Sequence, residues 1–256
     1  MRIRVLGASG AEFPGHNPPA FLINNYILLD AGTLGAVLKE EEQWRIRYIL
    51  LTHAHLDHIR AIPFLADNII IKNKRHYITV MAQGVVLQQL KTHLLNGDIW
   101  PDFTTIGRSG PVLRLKEVFP EREIKINSFS VFPVPVNHSV PATGYIIKEL
   151  KKGRPASTLV YTGDTGPTER LWSFAGNADL LIVEVSFPDR LSDLAQRTGH
   201  LTPGLLKKEL SKIGILPKRI LITHPKPQYL EIIKKELKSL KIKGLRLLKE
   251  GEEIEV

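Results

Sequence analysis

The 256-residue sequence contains no cysteine and only two methionines and three tryptophans. The absence of cysteine excludes disulfide bonds and any thiolate ligand to a metal. The sequence also lacks low-complexity tracts, fixed-period repeats and any apolar run long enough to span a bilayer. The N-terminus, residues 1–7, has no long hydrophobic stretch of the kind found in secretion signals. We therefore expect a cytoplasmic protein with no membrane partner.

Acidic residues are scarcer than basic ones, at 26 Asp and Glu against 35 Lys and Arg, which gives a formal net charge of +9. A positive field raises the local concentration of anions and favours phosphorylated substrates. Much of the excess lies at 207–219 and 234–243, where lysines alternate with apolar residues at helical spacing. A solvated helix face is the simpler interpretation of these lysines, and a nucleic-acid track is the alternative.

Hydrophobic residues make up 43% of the chain, enough for a sizeable core, and no linker interrupts it. We predict one domain over residues 1–256. Periodicity predicts strands near 2–7, 21–30, 46–52, 76–81, 124–136, 143–148, 157–163, 179–185, 219–223 and 244–248. It predicts helices near 34–41, 82–96, 168–175, 190–197, 203–213 and 227–239.

The most informative segment is the histidine-rich motif that directly follows the apolar run 46–51. His53 and His55 are two residues apart, so in an extended segment their side chains share a face. A turn after them brings Asp57 and His58 round from the other side. Neutral imidazole and carboxylate both suit zinc, manganese and iron. The motif therefore predicts a site for one or two divalent cations.

Three later residues of ligand type, His138, Asp164 and His224, each follow an apolar segment closely. Taken singly, each is more simply a cap or a turn residue. Strand ends that carry functional residues commonly meet at one edge of a sheet. Together with the histidine-rich motif, the order of these residues indicates a single metal centre.

On these residues the sequence resembles the metallo-β-lactamase superfamily of binuclear metallohydrolases, over nearly the whole chain. The resemblance implies an α/β (α+β) fold, a four-layer αββα sandwich with metals at the mouth between its two sheets. It implies two divalent ions, Zn or Mn and alternatively Fe. The implied ligands are His53, His55 and His138 for the first ion, Asp57, His58 and His224 for the second, and Asp164 as a bridge.

Three further residues match positions in this superfamily. Asp30 ends an apolar segment and resembles the carboxylate that orients a metal-bound imidazole, although a turn residue is an equal interpretation. Members such as ribonuclease Z place a histidine about one helix upstream of the last ligand, oriented by a glutamate. His200 and Glu184 match that pair, and a helix-capping role is the alternative for His200.

Several segments also resemble the class II cyclic-nucleotide phosphodiesterases, in the same order along the chain. They are 96–101 (Asn-Gly-Asp-Ile-Trp-Pro), 186–188 (Ser-Phe-Pro), 199–203 (Gly-His-Leu-Thr-Pro) and 223–227 (Thr-His-Pro-Lys-Pro). The chain departs from that family at 60–67, where the family has a small residue followed by aliphatics.

The resemblance implies a phosphodiesterase that hydrolyses 3′,5′-cyclic nucleotides, cAMP or cGMP, to 5′-nucleotides with water activated by two cations. In this hypothesis His200, held by Glu184, protonates the departing 3′-oxygen, and Asp57 takes up the proton of the nucleophile. His16, Trp100 and Lys226 are candidates for substrate contacts. Their alternatives are a rigid connection, a packed anchor and a solvated charge.

Other functions remain open. One is a ribonuclease Z-like endonuclease that processes the 3′ end of transfer RNA, with RNA as its partner. A hydrolase of another phosphoester and a non-catalytic binder are the others. The expected partner is a small phosphodiester, and a homodimer is compatible with the sequence.

Overall fold

The computed structural model describes residues 1–72 and 76–256, and within them fourteen strands form two sheets of seven strands each. The strands in the first half of the chain are β1 Arg2–Gly7, β2 Ala20–Ile23, β3 Ile27–Leu29, β4 Tyr48–Leu50, β5 Ile78–Ala82 and β6 Leu113–Glu117. Those that follow are β7 Ile124–Ile126, β8 Phe129–Val136, β9 Ala142–Lys151, β10 Arg154–Tyr161, β11 Leu180–Glu184, β12 Ile220–Thr223, β13 Leu245–Leu247 and β14 Glu253–Glu255.

Helices occupy the connections between the strands. They are α1 Glu40–Gln43, α2 Leu56–Ile59, α3 Ile62–Lys72, α4 Gly84–His93, α5 Trp172–Ala175, α6 Ser192–Arg197, α7 Pro203–Leu210 and α8 Leu230–Ser239. Short 3₁₀ turns at Asp189–Leu191 and Pro227–Tyr229 precede α6 and α8. Among the described residues, no helix is long and apolar enough to cross a membrane.

Each sheet combines antiparallel and parallel pairing. The first has the strand order β14-β1-β2-β3-β4-β5-β6, and pairing is parallel from β3 to β6. The second has the order β13-β12-β11-β10-β9-β8-β7, and pairing is parallel from β10 to β13. Strands β8, β10, β11 and β12 therefore run in one direction and end at the same edge. This explains why ligand-type residues that follow them lie together.

Alternating burial divides the core into three layers. Phe21, Ile23, Ile27 and Leu29 pack into the core between the two sheets, together with residues of β8 to β12. Leu22, between two of them in sequence, packs instead under α3 and α4. Side chains on the other face of the second sheet pack against α5, α7 and α8. Because successive side chains in a strand point to opposite faces, this pattern confirms the predicted αββα sandwich.

Two predicted strands are hairpins. The predicted strand 21–30 turns at Asn24 and Asn25, whose φ values are +45° and +64°. The predicted strand 124–136 turns at Asn127, with φ of +51°. Asparagine tolerates this left-handed region better than most residues, so each apolar segment contains its own turn.

Three parts of the helix prediction need correction. The predicted helix 168–175 is helical only at Trp172–Ala175. The predicted helix 34–41 is mostly irregular, and a helix begins only at Glu40. Conversely, the helix α3 at Ile62–Lys72 is absent from the predicted elements. Pro63 interrupts the apparent helical pattern, but it lies in the first turn, where a missing backbone N–H costs nothing.

Candidate metal centre

Three imidazoles meet where β4 and β8 end. His53 and His55 follow β4 after a short extended segment, and His138 follows β8. Ring centroids are 4.6 Å apart for His53 and His55, 4.8 Å for His53 and His138, and 4.9 Å for His55 and His138. One ligand atom from each of the three lies within 4.8 Å of the others. The structure therefore brings together the first predicted set.

The second predicted set also comes together. Asp57 and His58 lie in α2, Asp164 follows β10, and His224 follows β12. The carboxylate oxygen Oδ2 of Asp164 is 3.3 Å from Nε2 of His58 and 3.2 Å from Nε2 of His224. Oδ2 of Asp57 is 3.4 Å from the same nitrogen of His224. Ligand atoms of these four residues lie within 4.8 Å of one another.

Asp164 also faces the first set, because its Oδ2 lies 3.9 Å from Nε2 of His53. The two sets are thus neighbours on either side of one buried carboxylate. A role for Asp164 as a bridging ligand stays a prediction that this position supports.

The chemistry of the cluster fits divalent cations. Nε2 of His53 is buried and makes no hydrogen bond to any described residue. A buried nitrogen without a partner is costly, about 1–3 kcal/mol, and a metal ion would satisfy it. Imidazoles and carboxylates without thiolates suit zinc, manganese or iron.

Asp30 orients one of these imidazoles. A hydrogen bond of 2.8 Å joins Nδ1 of His58 to Oδ2 of Asp30. An ionised carboxylate can only accept, so Nδ1 donates its proton to Asp30 and Nε2 is the nitrogen that faces the cluster. The Tyr161 hydroxyl donates to the same oxygen at 2.7 Å, and the backbone N–H of Thr52 donates to Oδ1 at 2.8 Å. The predicted contact between Asp30 and an imidazole is confirmed.

Electrostatics differ between the imidazoles. Burial lowers the pKa of His53 well below its ordinary value, and the neighbouring His58 lowers it further, which favours the neutral ring that binds metals. Burial also opposes charge on His58, but Asp164 and Asp30 outweigh it and raise its pKa. Burial opposes ionisation of Asp164, yet His224 and His58 lower its pKa well below the usual range. A cation bound at Nε2 of His58 would replace the proton at that atom.

His200 lies beside the cluster and is held by Glu184. Nδ1 of His200 is 2.7 Å from Oε1 of Glu184, the last residue of β11. The His200 ring is stacked on that of His224, with centroids 5.4 Å apart, and lies 5.1 Å from the ring of His138. Burial opposes charge on His200, but the glutamate outweighs it and raises the pKa. The predicted pairing of His200 with Glu184 is confirmed as a contact.

Ser186, which was not among the predicted site residues, connects these groups. Its hydroxyl donates to Oε2 of Glu184 at 3.0 Å and lies 2.8 Å from Nδ1 of His224. It is also 3.2 Å from Nδ1 of His200. Its spacing could have identified it in the sequence, because a residue two positions after Glu184 in an extended segment lies on the same face as Glu184.

The three candidate substrate residues are outside both ligand sets. Nδ1 of His16 is 3.3 Å from the Ser9 hydroxyl, in the loop between β1 and β2. Lys226 donates its Nζ proton to the carbonyl oxygen of Gly10 at 2.6 Å, which ties the segment after β12 to the same loop. Trp100 is partly buried and packs against the core under α3 and α4. Their substrate roles stay predictions.

Two mixed sheets between layers of helices, with imidazoles and carboxylates converging at one edge, define the metallo-β-lactamase fold class. The chain belongs to the beta-lactamase superfamily, because the model of the beta-lactamase superfamily domain matches residues 25–224.

Relatives and solved structures agree with this assignment. A ribonuclease Z from Ignicoccus hospitalis is 26% identical, over 90% of this chain and 90% of that protein. A 3′,5′-cyclic-nucleotide phosphodiesterase from Aliivibrio fischeri is 26% identical, over 80% of this chain and 73% of that protein. The crystal structure of unliganded yeast PDE1 has a TM-score of 0.81 at 20% identity, covering 98% of each chain. At that identity the likeness shows the fold.

Proposed function

We propose that this protein is a binuclear, metal-dependent phosphodiesterase that hydrolyses 3′,5′-cyclic nucleotides to 5′-nucleotides. The observation that carries the proposal is the position of Asp164, whose Oδ2 is 3.3 Å from Nε2 of His58 and 3.9 Å from Nε2 of His53. One carboxylate that faces two sets of imidazoles suits a pair of divalent cations. The proposed ligands are His53, His55 and His138 for one ion, Asp57, His58 and His224 for the other, and Asp164 for both.

Two divalent cations would supply Lewis-acid activation of water at neutral pH and would offset negative charge on the phosphoryl oxygens. The donor set is compatible with zinc, manganese or iron. The chain's own residues must then place the substrate and move two protons.

His200 is the proposed proton donor to the leaving group. Glu184 can only accept a hydrogen bond, so it holds the proton at Nδ1 of His200, and Nε2 is the nitrogen that remains for a substrate oxygen. The oxygen of water forms a bond to phosphorus as the bond between phosphorus and the 3′-oxygen breaks, and the departing oxygen takes a proton from Nε2. Glu184 is a positioning residue in this scheme.

Asp57 is the proposed acceptor for the proton that water loses. Its side chain is 32% exposed, whereas that of Asp164 is 3% exposed. A carboxylate at the edge of the cluster can pass this proton to solvent, which a fully enclosed one cannot.

Four sequence segments and one relative support a cyclic-nucleotide substrate. The segments 96–101, 186–188, 199–203 and 223–227 resemble class II enzymes in order, and the relative from Aliivibrio fischeri carries that activity in its name. Precursor transfer RNA is the second candidate. It is favoured by the relative named ribonuclease Z from Ignicoccus hospitalis and by the net charge of +9.

The test is direct comparison of substrates. The purified protein, loaded with manganese or zinc, is assayed on cyclic AMP, cyclic GMP and a precursor transfer RNA under identical conditions. We expect preferred hydrolysis of a cyclic nucleotide. Cleavage of RNA alone would support the second candidate, and turnover of none of them would contradict phosphodiesterase activity on either substrate class.

A further inference from the structure

A largely apolar cleft of about 280 Å³ adjoins the proposed metal centre. His55 belongs both to the first ligand set and to the wall of this cleft. The cleft therefore begins where the phosphodiester would be held. Its lining residues are Ala54, His55, Leu56, Ile59, Gln89, His93, Leu94 and Val140.

Gln89 supplies a side-chain amide to this lining. It lies on α4 four residues before His93, so the two side chains share one face of the helix. Its side-chain oxygen Oε1 is buried and has no hydrogen-bond partner among residues 1–72 and 76–256. Such an atom costs about 1–3 kcal/mol unless a ligand or water supplies a donor. The adjacent Gln88, by contrast, is exposed.

The chemistry of the cleft restricts its occupant. Its walls carry the apolar side chains of Leu56, Ile59, Leu94 and Val140, and the lining residues that the structure describes include no carboxylate, lysine or arginine. Charged groups of a ligand would therefore be held at the metal centre, not here. The volume is near the lower end of small-molecule sites, roughly 300 Å³, and suits a flat ring system. A nucleobase combines apolar faces with an edge of donors and acceptors.

We propose that this cleft binds the nucleobase of the substrate, with Gln89 hydrogen-bonded to the edge of the base. The inference rests on the proposed function, since it takes the phosphodiester to lie at the metal centre. The side-chain amide of Gln89 offers both a donor and an acceptor, as a base edge does. The apolar walls and the imidazole of His93 enclose the faces of the ring.

The test uses the full chain loaded with metal and two substrates that differ only in the base. They are cyclic AMP and the 3′,5′-cyclic phosphate of abasic ribose. For Gln89→Leu we expect kcat/KM on cyclic AMP to fall about tenfold, the effect of losing one hydrogen bond to the ligand. Turnover of the abasic substrate is expected to stay unchanged. The matched control is Gln88→Leu, which alters the exposed neighbour and should affect neither substrate.

A second variant fills the cleft without touching Gln89. Val140→Trp should raise KM for cyclic AMP and leave kcat/KM on the abasic substrate unchanged, with metal content measured to confirm that His138 is undisturbed. If Gln89→Leu behaves like Gln88→Leu, the cleft does not bind the base. The same conclusion follows if Gln89→Leu and Val140→Trp each reduce turnover of cyclic AMP and of the abasic substrate equally. If the unaltered protein hydrolyses neither substrate, the proposed function itself is wrong and this inference falls with it.

Discussion

Nδ1 of His200 lies 2.7 Å from Oε1 of Glu184, so a histidine from the loop before α7 is held by the last residue of β11. This contact fixes which nitrogen of the ring carries the proton and which one is left for a substrate. His200 is not a proposed ligand, although its ring also lies near His138 and Asp164, whereas the neighbouring His138 and His224 belong to the proposed ligand sets. Metal binding and turnover should therefore respond differently to substitutions in these two groups.

His200→Ala should lose turnover and keep its metal. Removal of a positioned proton donor lowers kcat about 10²- to 10⁴-fold, while the ligand sets stay intact. Metal content by mass spectrometry and turnover of a cyclic nucleotide are measured on the same preparation. The control is His76→Ala, because His76 contacts Arg47 and belongs to neither ligand set. Loss of metal in His200→Ala would contradict the role given to His200.

Asp164→Ala should lose both metal and turnover. Its carboxylate faces both ligand sets, and removing it takes away an anionic ligand and the charge that balances the imidazoles around it. Metal content and turnover should both fall below detection in the same assays. If this variant retained two equivalents of metal, the proposed bridging position would be wrong.

Tyr161→Phe should weaken metal binding through Asp30. The Tyr161 hydroxyl donates to the oxygen of Asp30 that accepts from His58, and loss of such an outer contact lowers metal affinity about tenfold. Competition with a chelator measures this affinity. Tyr145→Phe is the matched control, because the Tyr145 hydroxyl is equally buried but donates to the Leu51 carbonyl oxygen. Equal metal affinities in Tyr161→Phe and Tyr145→Phe would contradict the role given to the Tyr161 hydroxyl.

Glu209→Ala should destabilise the fold. The buried carboxylate of Glu209 accepts hydrogen bonds from Trp172 Nε1 at 2.7 Å and from the backbone N–H of Thr168 at 2.9 Å, and it pairs with Lys212. Breaking a buried pair lowers the free energy of unfolding by about 3 kcal/mol. Urea denaturation measures this change. The exposed Lys207→Ala on the same helix should change it by less than about 0.5 kcal/mol.

Asp179→Asn should alter how stability depends on pH. The hydrogen bond from Lys218 at 2.6 Å lowers the pKa of Asp179 below its ordinary value of 3.8, with a further contribution from the backbone N–H of Thr158. A lowered pKa stabilises the fold above the unfolded-state pKa, and this contribution is lost as pH falls through the folded value. The stability difference between wild type and variant should therefore be present near pH 7 and shrink below pH 3.8. Urea midpoints at both pH values measure it, and a constant difference would contradict the prediction.

Local patterns predicted the elements that carry the candidate site. An apolar segment followed by His53, His138, Asp164 or His224 is a contiguous signal, and strands were found before each of them. Turns and boundaries were less predictable. Asn24 and Asn127 form turns inside apolar segments that look like single strands. Pro63 makes the segment 62–72 look non-helical, although a proline is tolerated in the first turn of a helix. In these places one residue changes the backbone without changing the hydrophobic pattern.

The sequence by itself determined the ligand types, the absence of thiolates and the strand ends at which the ligands lie, because each depends on residues that are neighbours in the chain. The tertiary structure decided which distant groups meet. The Tyr161 hydroxyl reaches Asp30 across 131 positions, Ser186 joins His200 to His224, and Gln89 lines a cleft with His55. Such contacts depend on strand order and on the packing of one sheet against the other, and these arise only when the whole chain is folded.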